Sequence, residues 1–180
     1  MASAAFALFD SPIGHCAVVW IDRALIGVYL PEADADATRV RILRRFHDAT
    51  ETAPPADVQR AIAAIGELLQ GRDNDLLSVE IDMSRVPEFN RQVYALARAI
   101  PPGHTRTYGE IAAELGDPLL ARAVGQALGA NPFPIVVPCH RVMAAGGKSG
   151  GFSAPGGLLT KLKLLEIEGA QLGGAPGLFD

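Results

Sequence analysis

Hydrophobic and polar positions along the first half of the chain predict a mixture of short strands and helices. Two apolar runs separated by the polar pair Asp22-Arg23 predict a β-hairpin, and a third run predicts one more strand. Two stretches with apolar residues three or four positions apart predict helices. The strands are expected over residues 14–21, 24–30 and 77–82, and the helices over residues 35–48 and 57–70.

The pattern changes near residue 85, and the second half of the chain is predicted to be mainly helical. A helix is expected to begin at Pro87 and to end before Pro101-Pro102-Gly103. Two shorter helices are expected over residues 107–115 and 118–129, joined by a turn that contains Gly116. Such a pair is typical of a helix-turn-helix, although ordinary helical hairpins have the same spacing.

These patterns predict two domains that differ in charge. An N-terminal α/β domain is expected over residues 1–85, a C-terminal domain over residues 86–170 with a last helix at 158–168, and a loose tail over residues 171–180. The first 90 residues hold eight basic and fourteen acidic side chains. Residues 91–165 hold eight basic side chains against three acidic ones. The asymmetry favours a polyanionic partner for the second half, with chance clustering of solvated charges as the alternative.

Composition narrows the function classes further. Two cysteines and four scattered histidines form no metal-ligand spacing, so neither a metal nor another cofactor is expected. Cys16 lies in an apolar stretch and is interpreted as a buried small hydrophobic residue. No apolar run approaches the length of a membrane span, and no basic leader begins the chain. A cytoplasmic, reducing setting without a membrane partner is therefore expected.

Cys139 is the candidate nucleophile. It follows a predicted strand-like segment over residues 135–138 and precedes His140 and Arg141, whereas an inert core cysteine would be expected between apolar neighbours. A thiol is only a few per cent ionised at neutral pH, so it needs a base or a positive field to react. His140 is the adjacent base, and on an extended backbone it would reach the thiol through a water molecule.

The segment Pro138-Cys139-His140-Arg141-Val142, preceded by Ile135-Val136-Val137, resembles the active-site signature of the O6-alkylguanine-DNA alkyltransferases, or methylated-DNA–protein-cysteine methyltransferases. The resemblance covers roughly residues 85–170. The first 85 residues match weakly, chiefly through Asp10-Ser11-Pro12-Ile13-Gly14. Further motifs in the family's order are Phe89-x-x-Gln92-Val93-Tyr94, Ile100-Pro101-Pro102-Gly103, Thr107-Tyr108-Gly109-Glu110-Ile111-Ala112, Ala121-Arg122-Ala123-Val124-Gly125, Asn131-Pro132 and Lys161…Leu164-Leu165-x-x-Glu168-Gly169.

The resemblance implies a fold, a reaction and a partner. The fold is an RNase H-like N-terminal α/β domain and a mainly α, winged-helix-like C-terminal domain with a helix-turn-helix. The partner is double-stranded DNA containing alkylated guanine, and the protein is expected to be a monomer. The reaction flips O6-alkylguanine out of the duplex, with O4-alkylthymine as a further candidate substrate. The alkyl group is transferred irreversibly to Cys139, so each molecule acts once.

The same resemblance implies roles for individual residues. Cys139 attacks the alkyl carbon, and His140 removes the thiol proton through a water while Glu168 orients it. Tyr108 supplies a proton or hydrogen bond to a guanine ring nitrogen, and Arg122 fills the gap left by the flipped nucleotide. The remaining implied roles are a turn-fixing contact for Asn131, a hydrogen bond to guanine O6 for Ser153, a pocket position for Val142, and DNA contacts for Ala121, Ala123, Gly125 and Arg141.

Two departures and two competing functions remain open. The loop at residues 152–157 is about two residues longer than in the best-known members, which affects the placement of Ser153 and the pocket width. Glu166 competes with Glu168 as the partner of His140. A DNA-damage binder of the alkyltransferase-like type would carry another residue in place of Cys139. A cysteine hydrolase would pair its cysteine with a histidine distant in sequence and would need an oxyanion hole.

Overall fold

The computed structural model describes residues 2–147 and 156–170, which form two compact units. The N-terminal unit comprises Met1–Arg85 and Pro132–Val136, and the C-terminal unit comprises Val86–Asn131 and Val137–Asp180. The sequence pattern predicts that residues 132–136 belong to the C-terminal domain. They group with the N-terminal unit instead, where the carbonyl of Pro132 accepts a hydrogen bond of 2.9 Å from the backbone N–H of Val28.

A four-stranded sheet with strand order β3-β2-β1-β4 is the centre of the N-terminal unit. The predicted hairpin is confirmed as the antiparallel pair β2–β3, and β1 pairs antiparallel with β2, so that Ala5 lies opposite Trp20. The short β4 runs parallel to β1. The strands are β1 Ala5–Ser11, β2 Gly14–Ile21, β3 Ala24–Tyr29 and β4 Thr50–Glu51.

Two helices cover this sheet's apolar residues, as the spacing predicts. Helix α1 spans Ala35–Arg45 and α2 spans Ala56–Leu69. Ile42 of α1 packs with Phe6 and Val19 of the sheet in a cluster that excludes water. Burial of each such side chain contributes about 1.5–3 kcal/mol relative to its exposed state.

The prediction of a strand over residues 77–82 is wrong. This segment forms turns, and its one ladder contact is an isolated bridge between Leu25 and Ile81. The side chains of Asn74 and Asp75 accept hydrogen bonds from the backbone two residues ahead, which competes with strand pairing. Leu76, the residue before the predicted strand, has a φ of 58°, so the chain turns where an extended segment would have to begin.

The C-terminal unit is mainly helical, which confirms the second half of the expected fold class. Helices α3, α4, α5 and α6 span Glu88–Arg98, Tyr108–Glu114, Ala121–Gly129 and Gly157–Ile167. The short strands β5 Arg106–Thr107 and β6 Val142–Met143 pair in parallel. No helix in the part of the chain described here is long and apolar enough to cross a membrane.

Helices α4 and α5 form the predicted helix-turn-helix pair. Thr107 caps α4 by accepting a hydrogen bond from the Glu110 backbone, and Glu110 accepts one from Thr107 in return. Gly116 has a φ of 110°, which suits glycine and lets the chain leave α4 sharply. The single helix predicted over 118–129 is a 3₁₀ turn at Pro118–Leu120 followed by α5.

Candidate active site around Cys139

Cys139 begins a 3₁₀ turn, Cys139–Arg141, and does not lie on an extended segment. The strand-like segment predicted over 135–138 is buried as expected, but its backbone turns at Ile135, whose φ is 77°. Positive φ is unusual for a β-branched residue and costs conformational energy. The backbone N–H of Cys139 donates to the carbonyl of Val137 at 2.8 Å. The turn directs Cys139 and His140 differently from the alternation that an extended strand would impose.

The thiol of Cys139 lies in a nearly closed environment, since the residue is only 9% exposed. Burial raises its pKa, because a thiolate loses hydration there. A side-chain hydrogen bond with Asn131 and the charge of Lys161 act in the opposite direction. Asn131 also donates from Nδ2 to the carbonyl of Val137 at 2.9 Å, so it holds the turn that carries the thiol. The thiol therefore requires a partner that takes its proton.

His140 is buried and contacts Glu168, with 2.7 Å between its Nε2 and Oε1 of the carboxylate. The Nδ1 atom of His140 is buried and has no hydrogen-bond partner among the described residues. Burial lowers the pKa of His140, so the neutral imidazole is favoured. A neutral imidazole that donates through Nε2 keeps a lone pair on Nδ1, as a base requires.

Glu168 is the partner of His140, and Glu166 is not. The Glu168 side chain is 2% exposed and is bonded to His140 and Arg141, which together lower its pKa to about 2 although burial alone would raise it. Glu166 is exposed on α6, with its carboxylate 3.8 Å from Lys163. The alternative left open by the sequence is thereby decided in favour of Glu168.

Arg141 does not lie where a DNA contact would require it, so that prediction is wrong. The residue is 1% exposed. Its Nη1 donates to the carbonyl of Ile100 at 2.7 Å, and its Nε and Nη2 donate to the two carboxylate oxygens of Glu168. A guanidinium with these partners is held inside the unit and cannot reach a phosphate.

Tyr108 is half-buried at the first position of α4, directly after the Thr107 cap. Burial raises the pKa of its phenol, and a negative charge on Cys139 would raise it further. The phenol therefore stays protonated and can act as a donor. The Lys161 ammonium lies 5.8 Å from the centre of the Tyr108 ring.

The other predicted site residues divide by exposure. On α5, Arg122 is exposed, whereas Ala121, Ala123 and Gly125 are half-buried. Val142 is buried in β6 opposite Arg106 of β5. Ser153 lies outside the described residues.

Lys161 is the site residue that sequence analysis missed. It is fully buried in α6, and its Nζ donates to the carbonyl of Val142 at 2.8 Å. The signal was present, because Lys161 lies three and four residues before the buried Leu164 and Leu165. A lysine on the apolar stripe of a helix is rarely buried without a specific partner.

The molecule combines an α/β unit with a helix-turn-helix unit, and its buried thiol shares a turn with His140, the partner of Glu168. These features define a DNA-associated protein with a cysteine nucleophile. Residues 88–170 match the family model described as the 6-O-methylguanine DNA methyltransferase DNA-binding domain. The chain is similar to the methylated-DNA–protein-cysteine methyltransferase of Methanosarcina acetivorans, with 49% identity over 92% of this chain and 98% of the relative. It is 37% identical to the enzyme of that name from Mycolicibacterium paratuberculosis, over 95% and 96% of the two chains.

Solved structures show the same similarity. The crystal structure of Mycobacterium tuberculosis OGT in complex with DNA superposes with a TM-score of 0.75 and 34% identity, covering 98% of this chain and 99% of the other. The O6-methylguanine-DNA methyltransferase of Pyrococcus kodakaraensis has a TM-score of 0.71 and 28% identity, covering 92% and 99%. The chain belongs to the family of methylated-DNA–protein-cysteine methyltransferases.

Proposed function

We propose that this protein repairs DNA by direct reversal, taking the alkyl group from O6-alkylguanine in double-stranded DNA and keeping it on Cys139. Transfer of a methyl group from DNA to a protein cysteine is the activity by which its family is named. The observation that carries the proposal is the contact of Glu168 with His140, which lies in the turn that begins with Cys139. It supplies a base and its orienting carboxylate beside the only cysteine of the C-terminal unit.

The proposed step is a one-step displacement at the alkyl carbon. The thiol proton of Cys139 passes through a water to Nδ1 of His140, whose Nε2 donates to Glu168. The Sγ–carbon bond forms as the bond from the carbon to O6 breaks, and the electron pair remains on the guanine. Tyr108 donates a proton or hydrogen bond to a ring nitrogen, which stabilises the leaving base. The guanine anion gains a proton at a ring nitrogen, and His140 releases the thiol proton to solvent, so protons balance. The products are an unmodified guanine and a stable thioether, so each molecule acts once.

Access to O6 requires the nucleotide to leave the base stack, at a cost of a few kcal/mol that is smaller for a damaged base. We propose that α5 approaches the duplex and that Arg122, which is exposed, fills the vacated space. Ala121, Ala123 and Gly125 would permit close approach of the helix backbone. Such contacts carry no base information, so repair should depend little on the surrounding sequence.

The remaining proposals concern the substrate pocket, the oligomeric state and the cellular location. Ser153 would hydrogen-bond guanine O6 and Val142 would contribute to the pocket, with O4-alkylthymine as a second substrate to test. Residues 86–131 and 137–170 would form the active-site domain of a monomer. A reducing cytoplasm is the proposed location, because both cysteines of the chain are free thiols.

Intact-protein mass spectrometry tests the function. The protein is incubated with excess duplex DNA carrying one O6-methylguanine, and one methyl group per molecule is expected on the peptide that contains Cys139. Cys16→Ser is the matched control and should accept the same methyl group, whereas Cys139→Ser should accept none while still binding DNA. Absence of any mass gain would favour a damage-binding protein, and repeated turnover would favour a hydrolase.

A further inference from the structure

We propose that Lys161 is a positioning residue that holds a buried positive charge toward Cys139 and thereby stabilises the thiolate during alkyl transfer. The inference deepens the proposed function and rests on it for the identity of the nucleophile. It assigns a role to the buried ammonium of Lys161, which takes no part in the proposed proton transfer from Cys139 to His140.

The first support is geometric. The side chain of Lys161 is fully buried, and Nζ is fixed by its hydrogen bond of 2.8 Å to the carbonyl of Val142, three residues after Cys139. The same ammonium lies 5.8 Å from the centre of the Tyr108 ring, within the range of a cation–π interaction. Helix α6 packs directly against the turn Cys139–Arg141. A flexible lysine side chain is thus held in one place on the helix that packs against the turn carrying the thiol.

The second support is the cost of burying an ammonium. An unpaired charge in an apolar interior loses hydration that one carbonyl contact does not replace. Within residues 2–147 and 156–170, no carboxylate lies within 4.0 Å of the Lys161 Nζ. The buried carboxylate of Glu168 is bonded to His140 and Arg141 instead. The thiolate of Cys139 is the anion that would balance the Lys161 charge.

The third support is the coupling between the two groups. Burial lowers the pKa of Lys161 to about 8, and a negative charge on Cys139 raises it again. Reciprocally, the charge of Lys161 lowers the pKa of Cys139. On the same turn, burial lowers the pKa of His140, Arg141 and Lys161 lower it further, and Glu168 raises it. Burial raises the pKa of Tyr108 on α4 and of Tyr94 on α3, and a negative charge on Cys139 raises both further, so both remain neutral phenols when the thiol anion forms.

A chemical consequence follows for the repaired state. Alkylation replaces a thiol that can ionise with a thioether that cannot, so the ammonium of Lys161 loses the group that can act as its counter-ion. The proton on Lys161 should then dissociate at a lower pH than in the reactive protein, because linkage between two sites is reciprocal.

The first test measures thiol reactivity without DNA. Iodoacetamide alkylation of Cys139 is followed against pH in a Cys16→Ser background, and Lys161→Met is compared with Lys163→Met. Lys163 lies on the same helix but is exposed, so its replacement removes the same charge without changing a buried side chain. Lys161→Met should raise the pH midpoint of the reaction by about one unit or more. Lys163→Met should leave it unchanged, and Lys161→Arg should restore much of the shift.

An unchanged midpoint in folded Lys161→Met protein would overturn the proposal. The second measurement needs no variant at this position. Protein labelled with ¹³C at the lysine ε-carbon is titrated by NMR before and after Cys139 is carbamidomethylated with iodoacetamide, again in the Cys16→Ser background. The pKa of Lys161 should fall on alkylation, and no change would reject the coupling.

The tests separate this inference from the proposed function. If the wild-type protein fails to accept a methyl group from DNA, the function is wrong whatever the iodoacetamide profile shows. If the wild-type protein accepts the methyl group but Lys161→Met has the wild-type pH profile and the lysine titration is unaffected by alkylation, only the role of Lys161 is wrong.

Discussion

Arg141 and Glu168 form a two-point ion pair inside the C-terminal unit, with Nε donating to Oε2 at 3.0 Å and Nη2 donating to Oε1 at 2.8 Å. The same Oε1 lies 2.7 Å from Nε2 of His140. Because the carboxylate is ionised and can only accept, the imidazole proton must be on Nε2. Arg141 thus fixes the carboxylate that fixes the tautomer of the proposed base.

Replacing Arg141 with lysine should slow alkyl transfer with little effect on DNA binding. A lysine ammonium cannot reproduce the planar two-point contact, so at least one charged hydrogen bond is lost. Such a bond contributes about 1.5–3 kcal/mol, which corresponds to about a tenfold or larger fall in the single-turnover rate if it is lost in the transition state. Rates and dissociation constants are measured on the same duplex. Weaker binding at an unchanged rate would restore Arg141 as a DNA contact.

Arg122→Ala should impair the repair of duplex DNA far more than the reaction with free O6-benzylguanine. The free base needs no extrusion from a stack, so a side chain that fills the vacated space has no role in its reaction. The ratio of the two second-order rate constants is the measurement. Arg23→Ala, which removes an exposed arginine from the N-terminal unit, should leave this ratio unchanged. Equal losses on both substrates in Arg122→Ala would exclude the proposed wedge.

Acidification below pH 6.5 should destabilise the fold through His140. Burial holds the pKa of His140 below its ordinary value of 6.5, so the unfolded chain takes up a proton that the folded protein does not. The stability contributed by the neutral imidazole is complete above pH 6.5 and declines below it, by at most about 1.4 kcal/mol per pH unit. Glu168, with its pKa lowered to about 2, adds a second loss below about pH 4.5.

Urea unfolding at pH 7 and pH 5 measures the His140 contribution. His140→Gln should show a smaller difference in the free energy of unfolding between the two pH values than the wild-type protein. His104→Gln changes an exposed histidine of the same unit and should keep the full difference. If His140→Gln retains the wild-type difference, protonation of another group causes the acid sensitivity.

Tyr94→Phe should destabilise the C-terminal unit without changing the chemistry of the thiol. The Tyr94 hydroxyl donates to the carbonyl of Ala127 at 2.7 Å and so connects α3 to α5 in a fully buried position. Removing the hydroxyl deletes this buried hydrogen bond, while the backbone N–H of Ala130 still donates to the same carbonyl, so the cost is about 0.5–1.5 kcal/mol in the free energy of unfolding. Chemical denaturation provides the measurement, and iodoacetamide reactivity of Cys139 serves as the control. A loss below 0.5 kcal/mol, roughly the lower limit for a hydrogen bond, would contradict this assignment.

Most helices were predictable because their burial follows from local spacing. The expected helix over 57–70 is α2 at Ala56–Leu69, and the last helix is α6 at Gly157–Ile167. Strand β1 was not predicted, since its sequence Ala5–Ser11 includes two alanines and two polar residues and gains its stability from pairing with β2. Pairing partners are distant in sequence or depend on register, which a local pattern does not contain.

The site residues likewise include some that the sequence predicts and some that it does not. Cys139, His140 and Glu168 could be proposed from their motif, because each lies at a recognisable position in the sequence. The burial of Arg141 and Lys161 could not, since both are charged residues that a sequence pattern assigns to the surface or to a polyanion. Their positions depend on the carbonyls of Ile100 and Val142, which offer acceptors deep in the unit.

The passage of residues 132–136 through the N-terminal unit has a practical consequence for anyone who shortens this protein. The chain crosses between the two units three times, so no single cut separates one complete unit from the other. A fragment that starts at Val86 would carry Phe133, Ile135 and Val136, all buried in the intact chain, without the unit in which they are grouped. Such a fragment should be prone to self-association, and replacing these three side chains with polar ones would be the first step in designing a minimal version.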